Sequence, residues 1–423
     1  MSGVWAARLV RDGVAHERVR WETEAGIVTV EEHDVDPRPH DMRLGLVVPG
    51  FGNAHSHAFH RALRGRTHDE GGSFWTWRER MYALARTLTP ARYAALAEAV
   101  FAEQLLAGWT ALGEFHYVHH RPDGATYSDH DMERALADAA VATGLRIVLL
   151  DTLYLDGGLP RFHDGSAARW LERWHALRER LASHAPIVTL GAAVHSVRAV
   201  PPDALAQVAA ALPTDVPLHV HLSEQPAEND TALATYGRTP TGLLADAGLL
   251  TERLSVVHAT HVDAADIAAL ASARVHAVIC PTTEADLGDG IGPARELADA
   301  GVRLALGSDQ HAVVDAFLEV RALEHGERLR AQERGRFTPA ELLHIGSAGG
   351  YGSLGLAPPT RPGAPLDLVE VDPDSPRTAG AAQFALAATS ADVLRTIVNA
   401  RVVSTRDNAG RVGAALAQEL ARA

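Results

Sequence analysis

The sequence predicts an α/β protein, a (β/α)8 barrel of the TIM type joined to a small β-sandwich domain formed by the two chain termini. Three observations carry this expectation. Eight short apolar runs, at 46–54, 110–116, 147–154, 188–195, 217–222, 254–259, 276–280 and 302–307, alternate with longer stretches of helical character. Strands alternating with helices build parallel βαβ units, and eight such units close a barrel. Second, a group of histidines and carboxylates falls just past several of those runs: His55-Ser56-His57, His221-Leu222-Ser223-Glu224 and Ser308-Asp309. Third, His55 and Asp309 are 254 positions apart (309 − 55). That span matches the roughly 250 residues of such a barrel, whose chemistry sits at the C-terminal ends of its strands.

In chain order, residues 1–45 hold three short strand-like runs, 4–10, 16–21 and 26–32, parted by Asp12-Gly13 and Glu24-Ala25-Gly26 turns. The barrel is expected over 46–355. Its first crossover helix starts at Thr89-Pro90, with proline in the first turn, where its missing N–H costs nothing. Apolar residues then recur at Tyr93, Leu96, Val100 and Leu105 until Gly108 stops the helix. Residues 204–212 and 264–271 read as further crossover helices. The stretch 358–365 is the clearest hinge. Beyond it, 363–371 reads as one strand and 396–403 as a second, so 356–423 is expected to pair with 1–45 as the small β domain.

Composition narrows the classes of function. The 423 residues can bury a large core, and 47% hydrophobic content is ordinary for a globular protein. A net charge of -14 argues against nucleic acid and acidic membranes as partners. There is no apolar run long enough to span a bilayer and no basic-then-apolar start, so a cytoplasmic location is expected. A single cysteine, Cys280, excludes an intrachain disulfide and fits a reducing compartment. All 39 basic residues are arginine. Without lysine, no carbamate can bridge two metals, so a lysine-bridged binuclear centre is excluded.

Zinc takes three or four N or O ligands and leaves one position for water. In His55-x-His57 both side chains leave a strand end on one face, because strand side chains alternate with period two. His221 and Asp309 can complete the set from opposite parts of a barrel, and a bound zinc ion lowers the pKa of water to ~7. Glu224, three residues beyond His221, can exchange a proton with that water, and His258 can orient it or stabilise charge. With 23 histidines in the chain, any single one is more commonly an ordinary core or surface residue. His219 points to the same side as His221 and rivals it; His221 is preferred because it stands three positions from Glu224. His261 competes with His258, which is favoured by its place at a strand end.

These residues resemble the amidohydrolase superfamily, in its aminohydrolase branch. The motifs that carry the likeness are Pro49-Gly50-Phe51-Gly52-Asn53-Ala54-His55-Ser56-His57, His221-x-x-Glu224, Val257-His258-Ala259 and Gly307-Ser308-Asp309. A closer likeness, to the N-formimino-L-glutamate deiminases of histidine degradation, rests on five further runs. They are His57-Ala58-Phe59-x-Arg61-Ala62, Ser73-Phe74-Trp75-Thr76-Trp77-Arg78-Glu79, Glu114-Phe115-His116-Tyr117-Val118-His119-His120, His195-Ser196-x-Arg198-Ala199-Val200 and Thr283-Glu284-Ala285-Asp286-Leu287-Gly288-Asp289-Gly290-Ile291.

The resemblance covers the barrel from about residue 46 to 311; Gly363-x-x-x-Asp367-Leu368-Val369 resembles the closing strand of the superfamily's β domain. It implies one zinc ion per chain, held by His55, His57, His221 and Asp309, with Glu224, His258 and Asp309 catalytic. It implies that Arg78, Tyr117, His195 and Arg198 bind a small dicarboxylate, and that the protein is a homodimer. His60 stands where the family pattern has glutamine, and an imidazole can also hydrogen-bond a carboxylate. The implied reaction is hydrolysis of N-formimino-L-glutamate to N-formyl-L-glutamate and ammonia. Arginine suits the two carboxylates through its planar bidentate fork. The rival readings are an aminohydrolase of a purine or adenosine derivative with the same metal site, and a non-catalytic scaffold. Scaffolds of that kind lose metal ligands, and here none is missing.

Overall fold

The structure, a computed structural model, describes residues 3–67 and 74–422, with Phe74 and Trp75 described by their backbone alone. Ser73 of the aromatic motif lies outside the described residues. Four strands come first: β1 (Val4–Arg11), β2 (Val14–Glu24), β3 (Ile27–Glu32) and β4 (Met42–Pro49). Eight more follow, β5 (Phe51–Ser56), β6 (Trp109–His116), β7 (Arg146–Leu153), β8 (Val188–Val194), β9 (Leu218–Leu222), β10 (Leu254–His258), β11 (His276–Ile279) and β12 (Arg303–Leu306). The last three are β13 (Leu368–Val371), β14 (Val393–Val398) and β15 (Arg401–Thr405).

Strands β5 to β12 close into a parallel barrel with helices between them. Strands buried on both faces read as continuous apolar runs, which is why the sequence shows them clearly. The seam is thin. β12 meets β5 through Leu306 and Asn53, extended by a bridge between Ser56 and Asp309. At the opposite end of the barrel the segment Ile345–Ser353 closes the floor. A Cβ at Gly350 would collide with the carbonyl of Gly52, so the approach requires glycine.

The crossover helix Pro90–Leu106 forms as its sequence predicts. The Thr89 hydroxyl accepts from the Arg92 N–H (3.3 Å), and Tyr93, Leu96, Val100 and Leu105 are buried. Gly108 ends it with φ +92°, a left-handed conformation that glycine adopts without strain.

The β-sandwich expected from the termini is realised as one continuous seven-stranded sheet, in the order β15-β14-β13-β4-β1-β2-β3. Two boundaries differ from the sequence reading. The run 46–54 divides at Gly50: Leu46 to Pro49 end β4 in the terminal sheet, and the barrel begins at Phe51. The run 396–403 is a hairpin, turning at Asn399-Ala400 with φ +51° and +60°, the two positive values of a type I′ turn. Asp367 joins the two units. Its Oδ2 accepts from Arg146 Nε (3.1 Å) and from the Tyr351 hydroxyl (2.6 Å), and its Oδ1 accepts from the Asn399 N–H (2.7 Å).

Candidate metal centre and catalytic pocket

Four side chains meet at the C-terminal mouth of the barrel. His55 and His57 leave the end of β5, His221 comes from β9, and Asp309 follows β12. Nε2 of His55 lies 3.1 Å from Nε2 of His221 and 3.3 Å from Oδ1 of Asp309, and Nε2 of His57 lies 3.5 Å from the same oxygen. The far nitrogens are occupied elsewhere. Nδ1 of His57 donates to the Phe115 carbonyl (2.8 Å) and Nδ1 of His221 to the His195 carbonyl (2.9 Å). Those bonds fix the tautomer that turns the Nε2 lone pairs inward, as a metal-binding imidazole requires. Nδ1 of His55 has no hydrogen-bond partner among the described residues; its ring is held by an edge contact with Phe115, 5.1 Å between centroids.

Electrostatics agree with this geometry. Burial and neighbouring imidazoles push His55 and His221 well below the usual histidine range. Burial and His55 bring His57 down to about 3, although Asp309 pulls the other way. Neutral imidazoles with converging lone pairs, beside one carboxylate, are the donor set of a divalent transition ion with N and O ligands. The residues fit such an ion.

The seam positions Asp309. Its N–H donates to the His55 carbonyl (2.9 Å), and its carbonyl accepts from the His57 N–H (3.1 Å). Behind it, Asn53 Oδ1 accepts from the N–H groups of Ser308 (3.0 Å) and His55 (3.3 Å), while Nδ2 of Asn53 donates to the Ser308 hydroxyl (2.6 Å). Gly307 is small of necessity, since a Cβ there would lie 2.8 Å from that of His55.

Glu224 and His258 face this cluster. Nε2 of His258 is 3.9 Å from both Oε1 of Glu224 and Oδ2 of Asp309, and its Nδ1 donates to Glu284 (3.3 Å). Burial works against the charged form of His258, but Glu284, Glu224 and Asp309 together raise it to about 10. The rival histidines stand elsewhere. His219 turns Nε2 to the Ser353 carbonyl (2.9 Å), and His261 turns its own to the Asp289 carbonyl (2.9 Å).

A cavity of about 180 Å³ opens beside the cluster, and His60, Arg78, Tyr117, His195 and Arg198 all line it. His60 and the Tyr117 hydroxyl share a hydrogen bond (3.0 Å). The Arg78 guanidinium lies 5.6 Å from the centre of the Tyr82 ring, and His195 packs on Tyr154 with 4.3 Å between rings. Arg198 is paired within the protein. Its Nη2 donates to Oε2 of Glu224 (2.9 Å), and its Nε lies 3.7 Å from Glu228.

The Amidohydrolase family model matches residues 46–403. The chain belongs to the amidohydrolase family. It is 39% identical over 411 residues to a formimidoylglutamate deiminase of Pseudomonas aeruginosa, covering 91% of this chain and 89% of that one. It is 30% identical over 393 residues to a 5-methylthioadenosine/S-adenosylhomocysteine deaminase of Natronomonas pharaonis, covering 90% and 87%. The crystal structure of an amidohydrolase from Brucella melitensis superposes with a TM-score of 0.91 at 30% identity, over 100% of this chain and 99% of that one. This amidohydrolase is therefore a hydrolase acting on C–N bonds.

Sequence reasoning left several residues of the amidohydrolase site without a role. Glu284 sits in the run from Thr283 to Ile291, four positions past Cys280, but its bond to His258 depends on β10 and β11 being neighbours. Glu114, from β6, accepts from the Ser56 hydroxyl (2.9 Å) and the Ala58 N–H (2.7 Å), bracing the turn after β5; burial raises its carboxyl to about 8. His116 and His119 face away from the centre, into a buried ionic cluster with Glu133 and Asp151. Nδ1 of His119 faces Glu133 (2.8 Å) and its Nε2 faces the Thr152 carbonyl (2.9 Å), while Arg173 already supplies the cation to Asp151 and Asp164.

Among the described residues, no helix is long and apolar enough to cross a membrane.

Proposed function

We propose that this amidohydrolase converts N-formimino-L-glutamate and water to N-formyl-L-glutamate and ammonia. The observation that carries the reading is the pocket wall: two guanidinium groups, Arg78 and Arg198, border one small cavity beside the metal-ligand cluster. A protein of net charge -14 repels a net anion at long range, so local cations must hold the two carboxylates. The 39% identity to a formimidoylglutamate deiminase supports the same substrate.

In this reading His55, His57, His221 and Asp309 hold one zinc ion. Zinc bound there supplies the Lewis acidity that makes water nucleophilic at neutral pH. Glu224 takes a proton from the attacking water and delivers it to the terminal nitrogen of the formimino group as oxygen adds to carbon. The second water proton follows by way of Asp309 and Glu224, and the C–N bond to ammonia breaks. His258, hydrogen-bonded to Glu284, stands 3.9 Å from both Glu224 and Asp309 and steadies the charge that gathers between them. Arg78 and Arg198 bind the substrate carboxylates, assisted by Tyr117, His195 and His60.

The test is ammonia release from N-formimino-L-glutamate, measured beside guanine and adenosine derivatives. Release from the formimino compound is expected; release from a purine alone would overturn the substrate while leaving the barrel and its donor set intact. Arg198→Met should lower kcat/KM for N-formimino-L-glutamate without lowering metal content. Losing a charge-assisted hydrogen bond costs ~1.5–3 kcal/mol, or roughly tenfold to over a hundredfold. Arg198→Lys should recover part of the loss, since lysine brings the charge without the fork.

A further inference from the structure

Glu228 stands in the first turn of the helix Pro226–Tyr236, four positions past Glu224, and is only 2% exposed. Its Oε2 accepts from the Glu224 N–H (3.3 Å) and lies 3.7 Å from Nε of Arg198. Its Oε1 is buried and accepts no hydrogen bond among the described residues. Arg198, whose side chain is 30% exposed, therefore bridges two carboxylates, with Nη2 on Glu224 and Nε toward Glu228.

That arrangement poses a conflict for catalysis. Glu224 has to reach the substrate nitrogen and Arg198 a substrate carboxylate, and a carboxylate that takes the Nη2 edge competes with Oε2 of Glu224 for it. Breaking a largely buried pair is costly when one charge is left without a partner. Glu228 removes that difficulty. Its carboxyl faces the Nε edge of the guanidinium at 3.7 Å, where Arg198 opposes the burial that raises its pKa; it has an unused acceptor, and it leaves the Nη edge for the ligand.

We propose that Glu228 is a positioning residue that anchors Arg198 by its Nε edge, so that the Nη edge passes from Glu224 to a carboxylate of the bound substrate. The inference rests on the dicarboxylate reading above and deepens it. Recognition and proton transfer become coupled, because the arriving carboxylate releases Glu224 from Arg198. A formimino compound without that carboxylate leaves Glu224 held, and it is turned over slowly even at saturation. Through its second contact, with the Glu224 N–H, the same side chain fixes the backbone that presents the proton carrier.

The experiment uses the metal-loaded protein and glutarate, a dicarboxylate with the carboxylate spacing of glutamate, titrated by calorimetry, together with steady-state kinetics on N-formimino-L-glutamate. Glu228→Gln keeps an acceptor for the Glu224 N–H and loses the charge. It should raise the glutarate Kd and the KM by about tenfold or more, with the effect falling mainly on KM and metal content unchanged. Glu228→Ala loses both contacts and should lower kcat as well. Glu228→Asp keeps the charge and should regain much of the affinity lost in the alanine variant.

Wild-type glutarate affinity in Glu228→Gln, or a fall in kcat with KM unchanged, overturns the proposal. Should the glutamine variant fail to fold, equal glutarate affinities of the Asp and Ala variants overturn it instead. A wild-type protein that does not bind glutarate at all sinks the dicarboxylate reading itself, which is a different failure from a wild-type protein that binds and a Glu228→Gln variant that binds equally well.

Discussion

Glu224→Gln is expected to cut ammonia release by ~10²–10⁴-fold, the usual contribution of a positioned acid–base group. Glutamine keeps the shape of the side chain and its oxygen can still accept from Nη2 of Arg198, so the wall of the pocket should hold. What disappears is the ability to take a proton from water and pass it to the leaving nitrogen. Metal content should therefore stay near wild type and glutarate should bind no more weakly, since a neutral side chain competes less for Nη2 of Arg198, while kcat collapses. Near-normal turnover in this variant would mean that another group carries the proton, with His258 and Asp309 the neighbours to examine.

His221→Ala should show the opposite pattern, losing the metal and, with it, nearly all activity. Nε2 of His221 lies 3.1 Å from Nε2 of His55, so deleting the ring removes one of four converging donors. The Nδ1 bond to the His195 carbonyl disappears too, loosening a residue that lines the pocket. Elemental analysis of protein purified without added metal should give one zinc per chain for the wild type and a substoichiometric amount for the variant. Two metals per wild-type chain would contradict the single centre that a lysine-free sequence implies. Full metal retention in His221→Ala would remove this residue from the ligand set and make His258 a candidate ligand, since its ring nitrogen also lies close enough to that of His55 to share an ion.

The barrel strands were legible because parallel strands are buried on both faces and stand out as unbroken apolar runs. What periodicity cannot report is which sheet a strand joins. Leu46 to Pro49 and Phe51 to Ser56 look like one segment, yet Gly50 passes the chain from the terminal sheet to the barrel. The hairpin at Asn399-Ala400 escaped for a related reason, since it lacks the Asn-Gly pair that normally marks such a turn. The helix Ala409–Leu420 buries Val412 and Leu416 at a four-residue spacing, a helical pattern to which the sequence reading gave no element.

At the site, the residues at strand ends could be found by position and chemical type. Glu284, Glu114 and Glu228 could not, because each acts on a side chain brought near by barrel closure or by a turn of non-regular backbone, such as Ser223 with φ +49°. The resemblance offered Arg198 as a cation for a substrate carboxylate. It had no means of seeing the two carboxylates that hold it.

The first and last strands of the barrel are neighbours in space, and the residues they bring together are far apart along the chain. A chain still being synthesised can offer His55 and His57 as a pair of imidazoles, but not the full set of donors. His221 comes later, and Asp309 arrives only when the ring of strands is ready to shut. Loop-closure entropy for so long a span is met at that last step, and a site of this kind does not pre-exist in the unfolded chain. Completing the ring and gaining the capacity to hold metal tightly are thus one event. In the zinc reading proposed above, the ion would be held tightly only at the end of folding, and bound metal in a preparation would count the molecules whose rings have shut.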